Sequence, residues 1–148
     1  YYMNTHISSS EGQGLPIVFP HLIDKDLKAV KNYSLGDFIE IYQTQKEREF
    51  ILATNHINIY TTARLHWDVD QNTDDLLNEY YKNYYGEVEK EMKTFFEFCE
   101  NNWLRMKKDV SLMEKAKTLL SNAKKKAKSD IYLKRITMIE QYLNLYKY

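Results

Sequence analysis

The stretch TDDLLNEYYKNYYGEVEKEMKTFFEFCENNWLRM, residues 73–106, decides the fold of this chain. Large apolar and tyrosine side chains recur on both sides of Gly86 with the period of an amphipathic α-helix. Gly86 itself is a typical C-terminal cap. The stretch therefore predicts two consecutive helices, Thr73 to Tyr85 and Glu87 to about Lys108, each burying one face. The predicted faces are Leu76, Leu77, Tyr80, Tyr81 and Tyr84, followed by Val88, Met92, Phe95, Phe96, Cys99, Trp103 and Met106.

The segment just before this stretch, LHWDVDQN (65–72), is rich in acidic residues. Its polar side chains follow the spacing of an EF-hand calcium loop at Asp68, Asp70, Asn72 and Glu79. However, Thr73 stands where that loop needs glycine, and the helical period begins there, so the backbone cannot wrap around an ion. We interpret the segment as a helix start, with Asn72 or Thr73 as the N-cap and the acids Asp74 and Asp75 facing the helix dipole.

Helical periodicity extends through the rest of the chain after about residue 48. Residues 47–67 predict a helix with one face made of Phe50, Ala53, Ile57, Tyr60 and Arg64. Ser111 and Glu114 have the spacing of a capping box for a further helix, and Ser129-Asp130 predicts the cap of the last one. Because the links between these helices are short, we expect antiparallel neighbours in an up-down bundle.

The region before residue 48 has a different pattern. YYMNTHI (1–7) and DFIEIYQ (37–43) are rich in strand-forming residues. Residues 22–33 between them have helical spacing, with Leu22, Ile23, Leu27 and Val30 on the apolar face and Gly36 as the stop signal. The order strand, helix, strand is that of a parallel βαβ unit. The predicted fold class is therefore mainly α (α+β): a strand-helix-strand segment over residues 1–48, followed by a helical region over residues 49–148.

The composition limits the possible partners. Basic and acidic residues number 21 each, so net charge does not direct the chain to nucleic acid or to a membrane surface, and no apolar run approaches the ~20 residues that span a bilayer. Residues 68–103 carry ten acids and three bases, whereas residues 104–135 carry eleven bases and three acids. Because no aromatic residues alternate with the run KKKAK (124–128), ion pairing with the acidic helices, or solvation, is a better interpretation than nucleic-acid binding.

Few residues suggest chemistry. Glu40, near the carboxyl end of the second strand, lies where (β/α)-barrel enzymes place acids and bases, and Tyr42, Gln43 and His6 are the candidate substrate contacts near the strand ends. No second carboxylate is identifiable, so a structural role is the simpler interpretation of Glu40. The four histidines lack metal-binding spacing and Cys99 lies on an apolar helix face, so neither a metal nor another cofactor is predicted.

Residues 58–98 resemble a segment of an uncharacterised Bacteroidetes family of carbohydrate-active, glycoside hydrolase-like proteins, which are similar to alpha-glucuronidases. The family pattern is Asn-x-Tyr, then Leu-x-Trp-Asp-Pro-Asp, a leucine-rich helix and Tyr-Tyr-Gly. The matching residues are Asn58, Tyr60, Leu65, Trp67, Asp68, Asp70, Leu76, Leu77, Tyr84, Tyr85 and Gly86, while Val69 replaces the proline. The match covers about 40 residues well, extends weakly over the 57 before them, and is poor after residue 104.

The resemblance implies that residues 1–43 are the last strand, helix and strand of a (β/α)8 barrel, and that residues 47–67 form the helix that closes it. Trp67 and the tyrosines would then lock that helix to the bundle. Because the matching motif is not the catalytic one, no catalytic residue is carried over, and the chain is expected to be structural or to support a substrate cleft rather than to catalyse alone. The resemblance also implies a carbohydrate partner and a periplasmic or secreted location. The alternative is a helical protein–protein interaction module without enzymatic activity.

Overall fold

The computed structural model describes residues 2–4, 14–36, 38–40 and 48–145, with side chains described over 14–36 and 54–145. These residues contain six α-helices: α1 (Pro20–Val30), α2 (Arg48–Trp67), α3 (Thr73–Tyr85), α4 (Glu89–Met106), α5 (Val110–Lys126) and α6 (Asp130–Leu143). One turn of 3₁₀-helix, Gly86–Val88, joins α3 to α4. The prediction of a mainly helical bundle is confirmed.

The bundle is a closed ring of five helices. Each of α2 to α6 packs on the next one, α6 returns to α2, and α1 lies outside the ring against α2 and α3. The main core is continuous around the ring and also contains Leu15 and Val18 from the segment that precedes α1. A smaller cluster, Ile23, Leu27, Leu65 and Leu76, holds α1 in place.

Two short strands precede α2. β1 (Tyr2–Asn4) pairs in parallel with β2 (Phe38–Glu40), and α1 lies between them in the sequence. Asn4 and Glu40 are register partners at the carboxyl ends of the strands. That this pair belongs to a barrel stays a prediction.

The α2–α3 corner follows the predicted helix start. Asn72 is the N-cap of α3, and its side-chain oxygen accepts the backbone N–H of Asp75 at 3.0 Å. At the other end of α3, Gly86 is the C-cap with φ +48° and ψ −113°. Both caps were predicted from the sequence, and the helix between them has the predicted bounds.

Three other predicted helix ends differ from the structure in part. Asp109 caps α5, because its carboxylate accepts the backbone N–H of Ser111 at 3.0 Å, so Ser111 does not begin a capping box. Ser129 stands at the N-cap of α6, but its side chain makes no capping bond. Helix α1 ends at Val30, well before the predicted stop signal Gly36, and Asn32 just after it has a left-handed backbone with φ +70°.

The buried faces of α1 and α2 also differ from the predictions. Leu22, expected in the core, is 50% exposed, and Trp67, expected to lock α2 to the bundle, is 91% exposed. The predicted face of α2 is confirmed at Ile57, which is buried, whereas Tyr60 and Arg64 are only partly buried. The fully or nearly buried face of this helix is largely polar. Its members are Thr54, Asn55, Ile57, Asn58, Thr61, Thr62 and Leu65.

Candidate functional site

The predicted site lies mostly outside the described residues. Glu40 is the last residue of β2 and so stands at the carboxyl edge of the strand pair, but its side chain is not described. Tyr42, Gln43 and His6 lie outside the described residues altogether. Their roles therefore stay predictions.

Helix α1 begins with a polar cluster that the sequence did not reveal. The carboxylate of Glu100 on α4 accepts the backbone N–H of His21 at 2.9 Å, and its other oxygen lies 2.8 Å from His21 Nδ1. His21 Nε2 lies 3.3 Å from Asp74 Oδ1 at the start of α3. Partial burial opposes protonation, but the two carboxylates outweigh it and raise the pKa of His21. His21 thus connects three helices.

Glu100 replaces a missing local cap at this position. Phe19 is the N-cap residue of α1, and its side chain makes no capping hydrogen bond. A carboxylate at a helix N-terminus satisfies an otherwise unpaired amide and faces the positive end of the helix dipole. No sequence signal could have indicated this cap, because the two residues are 79 positions apart.

A second carboxylate caps α6 in the same way. Glu87, in the 3₁₀ turn, accepts the backbone N–H groups of Lys128 and Ser129 at 2.6 and 2.8 Å. These two hydrogen bonds lower the pKa of Glu87. The caps of α1 and α6 are therefore both supplied by distant residues in or next to α4.

A buried amide ties the segment before α1 to the bundle. Asn58, which is 0% exposed, accepts the backbone N–H of Phe19 at 3.0 Å and donates to the carbonyl of Ile17 at 2.9 Å. It also donates to Asn55 Oδ1 at 2.9 Å. Asn58 is the asparagine of the Asn-x-Tyr motif, so this part of the motif has a structural role.

The tyrosines of α3 pack on α2, as the resemblance implied. His56 stacks on Tyr84 with ring centroids 4.6 Å apart, and the ring centroids of Tyr60 and Tyr80 are 5.2 Å apart. Arg135 from α6 places its guanidinium carbon 3.8 Å from the centre of the Tyr84 ring, a cation–π contact. Burial and the charge of Arg135 lower the pKa of His56, so this histidine favours the neutral form. We assign this cluster to packing.

Lysines line two grooves on either side of α4. The first, about 330 Å³ between α3 and α4, contains Lys82, Lys90 and Lys93, and the second, about 440 Å³ between α4 and α5, contains Lys90, Lys125 and Lys126. Lys126 pairs with Glu91, which agrees with the predicted pairing of acidic and basic helices. Within the part of the chain that the structure describes, Lys82, Lys90 and Lys125 have no ion-pair partner. All three bases of the acidic segment 68–103 thus lie in one region.

The described residues offer no other obvious chemistry. Among them, no group of three histidine, cysteine, aspartate or glutamate side chains could hold a metal ion. Cys99 is buried, and burial raises the pKa of its thiol well above the usual value, as expected of a core residue. Every helix within the described ranges is too short or too polar to cross a membrane.

The residues that carry the family resemblance mostly form the corner between α2 and α3. Leu65, Leu76, Leu77 and Tyr85 are at most 4% exposed, whereas Trp67 points into solvent. No protein-family model matches the chain, and neither a curated protein nor a solved structure is significantly similar to it.

Proposed function

We propose that the chain is the C-terminal portion of a glycoside hydrolase-like, carbohydrate-active protein, periplasmic or secreted, whose helical region supports a substrate cleft and does not catalyse alone. The observation that carries this proposal is the parallel pairing of β1 with β2 across α1. Two parallel strands of three residues cannot be stable alone, because parallel sheets are covered on both faces and contain more strands. Such a pair fits the edge of a larger β/α sheet.

The contacts of α1 and α2 support the same arrangement. Just after α1, the ammonium nitrogen of Lys31 lies 2.5 Å from a carboxylate oxygen of Asp70, which follows the end of α2. At the start of α1, the backbone N–H of Phe19 donates to the side chain of Asn58 within α2. The two helices therefore run in roughly the same direction, as successive helices of a β/α barrel do. In this arrangement the carboxyl end of β2, with Glu40, faces the side on which barrel enzymes bind substrate.

Glycosidase assays of this chain and of a longer protein that contains it test the proposal. With a panel of neutral and uronic-acid aryl glycosides, we expect turnover by the longer protein and none by this chain alone.

In the longer protein, Glu40→Gln should lower turnover by two orders of magnitude or more if the residue is the acid or base. Glu97→Gln, which removes an exposed carboxylate of α4, is the matched control and should leave turnover unchanged. Equal turnover in both variants removes Glu40 as a catalytic residue, and absence of carbohydrate turnover or binding by the longer protein contradicts the proposal.

The second candidate is a helical module that binds an acidic protein segment and has no enzymatic role. It rests on the lysine-lined grooves, in which Lys82, Lys90 and Lys125 are available to a partner's carboxylates. Fluorescence anisotropy with a labelled glutamate-rich peptide should show binding that weakens as salt rises. Replacing the three lysines with glutamine should abolish it, and Lys25→Gln on α1 should not. Tighter binding of a labelled oligonucleotide than of the peptide would contradict this candidate.

A further inference from the structure

We propose that His21 is a proton-dependent latch that holds the start of α1 on α3 and α4 when the imidazole is protonated and releases it as the pH rises. The inference is independent of the proposed function, because it rests on contacts of His21, Glu100 and Asp74 alone. It concerns α1, which lies outside the closed ring of helices and is therefore the described helix best placed to move separately.

Both contacts of the His21 ring can be hydrogen bonds at once only if the ring carries two N–H groups. Nδ1 lies 2.8 Å from a Glu100 oxygen and Nε2 lies 3.3 Å from an Asp74 oxygen. Ionised carboxylates only accept hydrogen bonds, and a neutral imidazole carries a single N–H. In the neutral form one ring nitrogen would therefore turn its lone pair toward a carboxylate. The imidazolium, with two N–H groups, satisfies both contacts at once.

Glu100 and Asp74 are the charged groups that face the His21 ring, because the neighbouring charges on α1 and α2 are held in other ion pairs. Glu100 is fixed by its hydrogen bond from the backbone N–H of His21 and is only 17% exposed, whereas Asp74 is 77% exposed. On α1 itself, the carboxylate of Asp24 lies 2.7 Å from the ammonium group of Lys28, one turn away. On α2, the other helix that α1 contacts, Arg64 pairs with Glu79 of α3.

The direction of the pH effect follows from the raised pKa of His21. A group with a raised pKa in the folded state stabilises the fold fully below its unfolded pKa, about 6.5, and loses that contribution as the pH rises through its folded pKa. The latch is therefore closed in mildly acidic solution and open above the folded pKa. Since His21 is half exposed, we scale the effect to a surface ion pair rather than to a buried one.

Hydrogen exchange of the α1 amides, corrected for the intrinsic rate at each pH, tests the latch in the whole chain. Between pH 5.5 and pH 8.5 we expect the protection factors of residues 22–27 to fall by about fivefold relative to those of α4, which corresponds to a surface-type ion pair. His21→Gln keeps a hydrogen-bond donor but cannot be protonated, so its relative protection should not change with pH. His66→Gln, at an exposed histidine of α2, should behave like the wild type.

NMR titration of the histidine ring protons provides the second measurement, with the His21 signal assigned by its loss in His21→Gln. We expect its midpoint to lie above the ordinary value in the wild type and to fall toward that value in Asp74→Asn, which changes an exposed residue and should leave the fold intact. An unshifted midpoint, or the same pH-dependent loss of protection in His21→Gln as in the wild type, would overturn the proposal.

Discussion

The substitution Gly86→Ala should destabilise the protein by about 2–6 kcal/mol, because it imposes two separate costs. The backbone of Gly86 has φ +48° and ψ −113°, the conformation of the first central residue of a type II′ turn, which favours glycine. A non-glycine residue in such a region costs roughly 1–3 kcal/mol. In addition, a Cβ at this position would lie 2.2 Å from the hydroxyl oxygen and 2.6 Å from Cζ of Tyr132. Moving that half-buried ring away costs a further ~1–3 kcal/mol, typical of overpacking.

Urea denaturation followed by circular dichroism measures the effect, with Gly36→Ala as the matched control. A Cβ on Gly36 meets no atom within 4 Å, and its φ is not positive, so this control should change the free energy of unfolding by less than about 0.5 kcal/mol. The double variant Gly86→Ala/Tyr132→Ala separates the two costs, because it removes the collision and leaves the backbone strain. A Gly86→Ala variant as stable as Gly36→Ala would refute the reasoning.

Three further substitutions test the polar contacts that hold the helices together. Asn72→Ala should cost about 1 kcal/mol in urea denaturation, the usual value of an N-cap, and an unchanged midpoint would show that the cap contributes nothing. Asn58→Ala should cost about 3–5 kcal/mol, because it leaves several buried groups unpaired, whereas Asn101→Ala on the exposed face of α4 should cost under about 0.5 kcal/mol. For Glu87, whose pKa is lowered by the amides it caps, the stabilisation is present above its unfolded pKa and is lost as the pH falls through the folded value. The melting temperature of Glu87→Gln should therefore fall less than that of the wild type on acidification below about pH 4.5, and parallel curves for the two proteins would contradict this role.

The sequence predicted the fold best where local signals agree. Helix α3 begins and ends where predicted because an asparagine cap, a regular apolar stripe and a glycine stop all occur within one short segment. The apolar period of α4 likewise identified a buried face, including Met92, Phe95 and Phe96. Such elements are specified by neighbouring residues, so a single sequence contains the necessary information.

The buried face of α2 could not be predicted from hydropathy because it is largely polar. The hydroxyl of Thr61 donates to the carbonyl of Ile57 at 2.9 Å, and that of Thr62 donates to the carbonyl of Asn58 at 2.8 Å. A threonine hydroxyl that donates to its own helix is satisfied locally, so such a residue can be buried. The apolar pattern alone therefore identified Ile57 correctly but also indicated Tyr60 and Arg64, which are only partly buried.

Most of the candidate site could not be predicted either, because its partners are distant in sequence. His21 is one of the four histidines without metal-binding spacing, and nothing near it in the sequence indicates Glu100 or Asp74. The exposure of Trp67 was also unexpected, since a tryptophan at the end of an amphipathic helix usually packs inward. The contacts of His21 depend on how α1 lies against α3 and α4, which local patterns do not specify.

The capping of α1 and α6 by Glu100 and Glu87 has a consequence for the order in which the protein folds. Each cap forms only after segments 79 or 41 residues apart have met, and such distant contacts form late because closing long loops costs entropy. The packing of α3 on α4 across Gly86, in contrast, brings together two helices that are adjacent in the chain. We therefore expect phi-value analysis to give high values around Gly86 and values near zero in the first turns of α1 and α6. Folding would then spread outward from the α3–α4 corner to both ends of the chain.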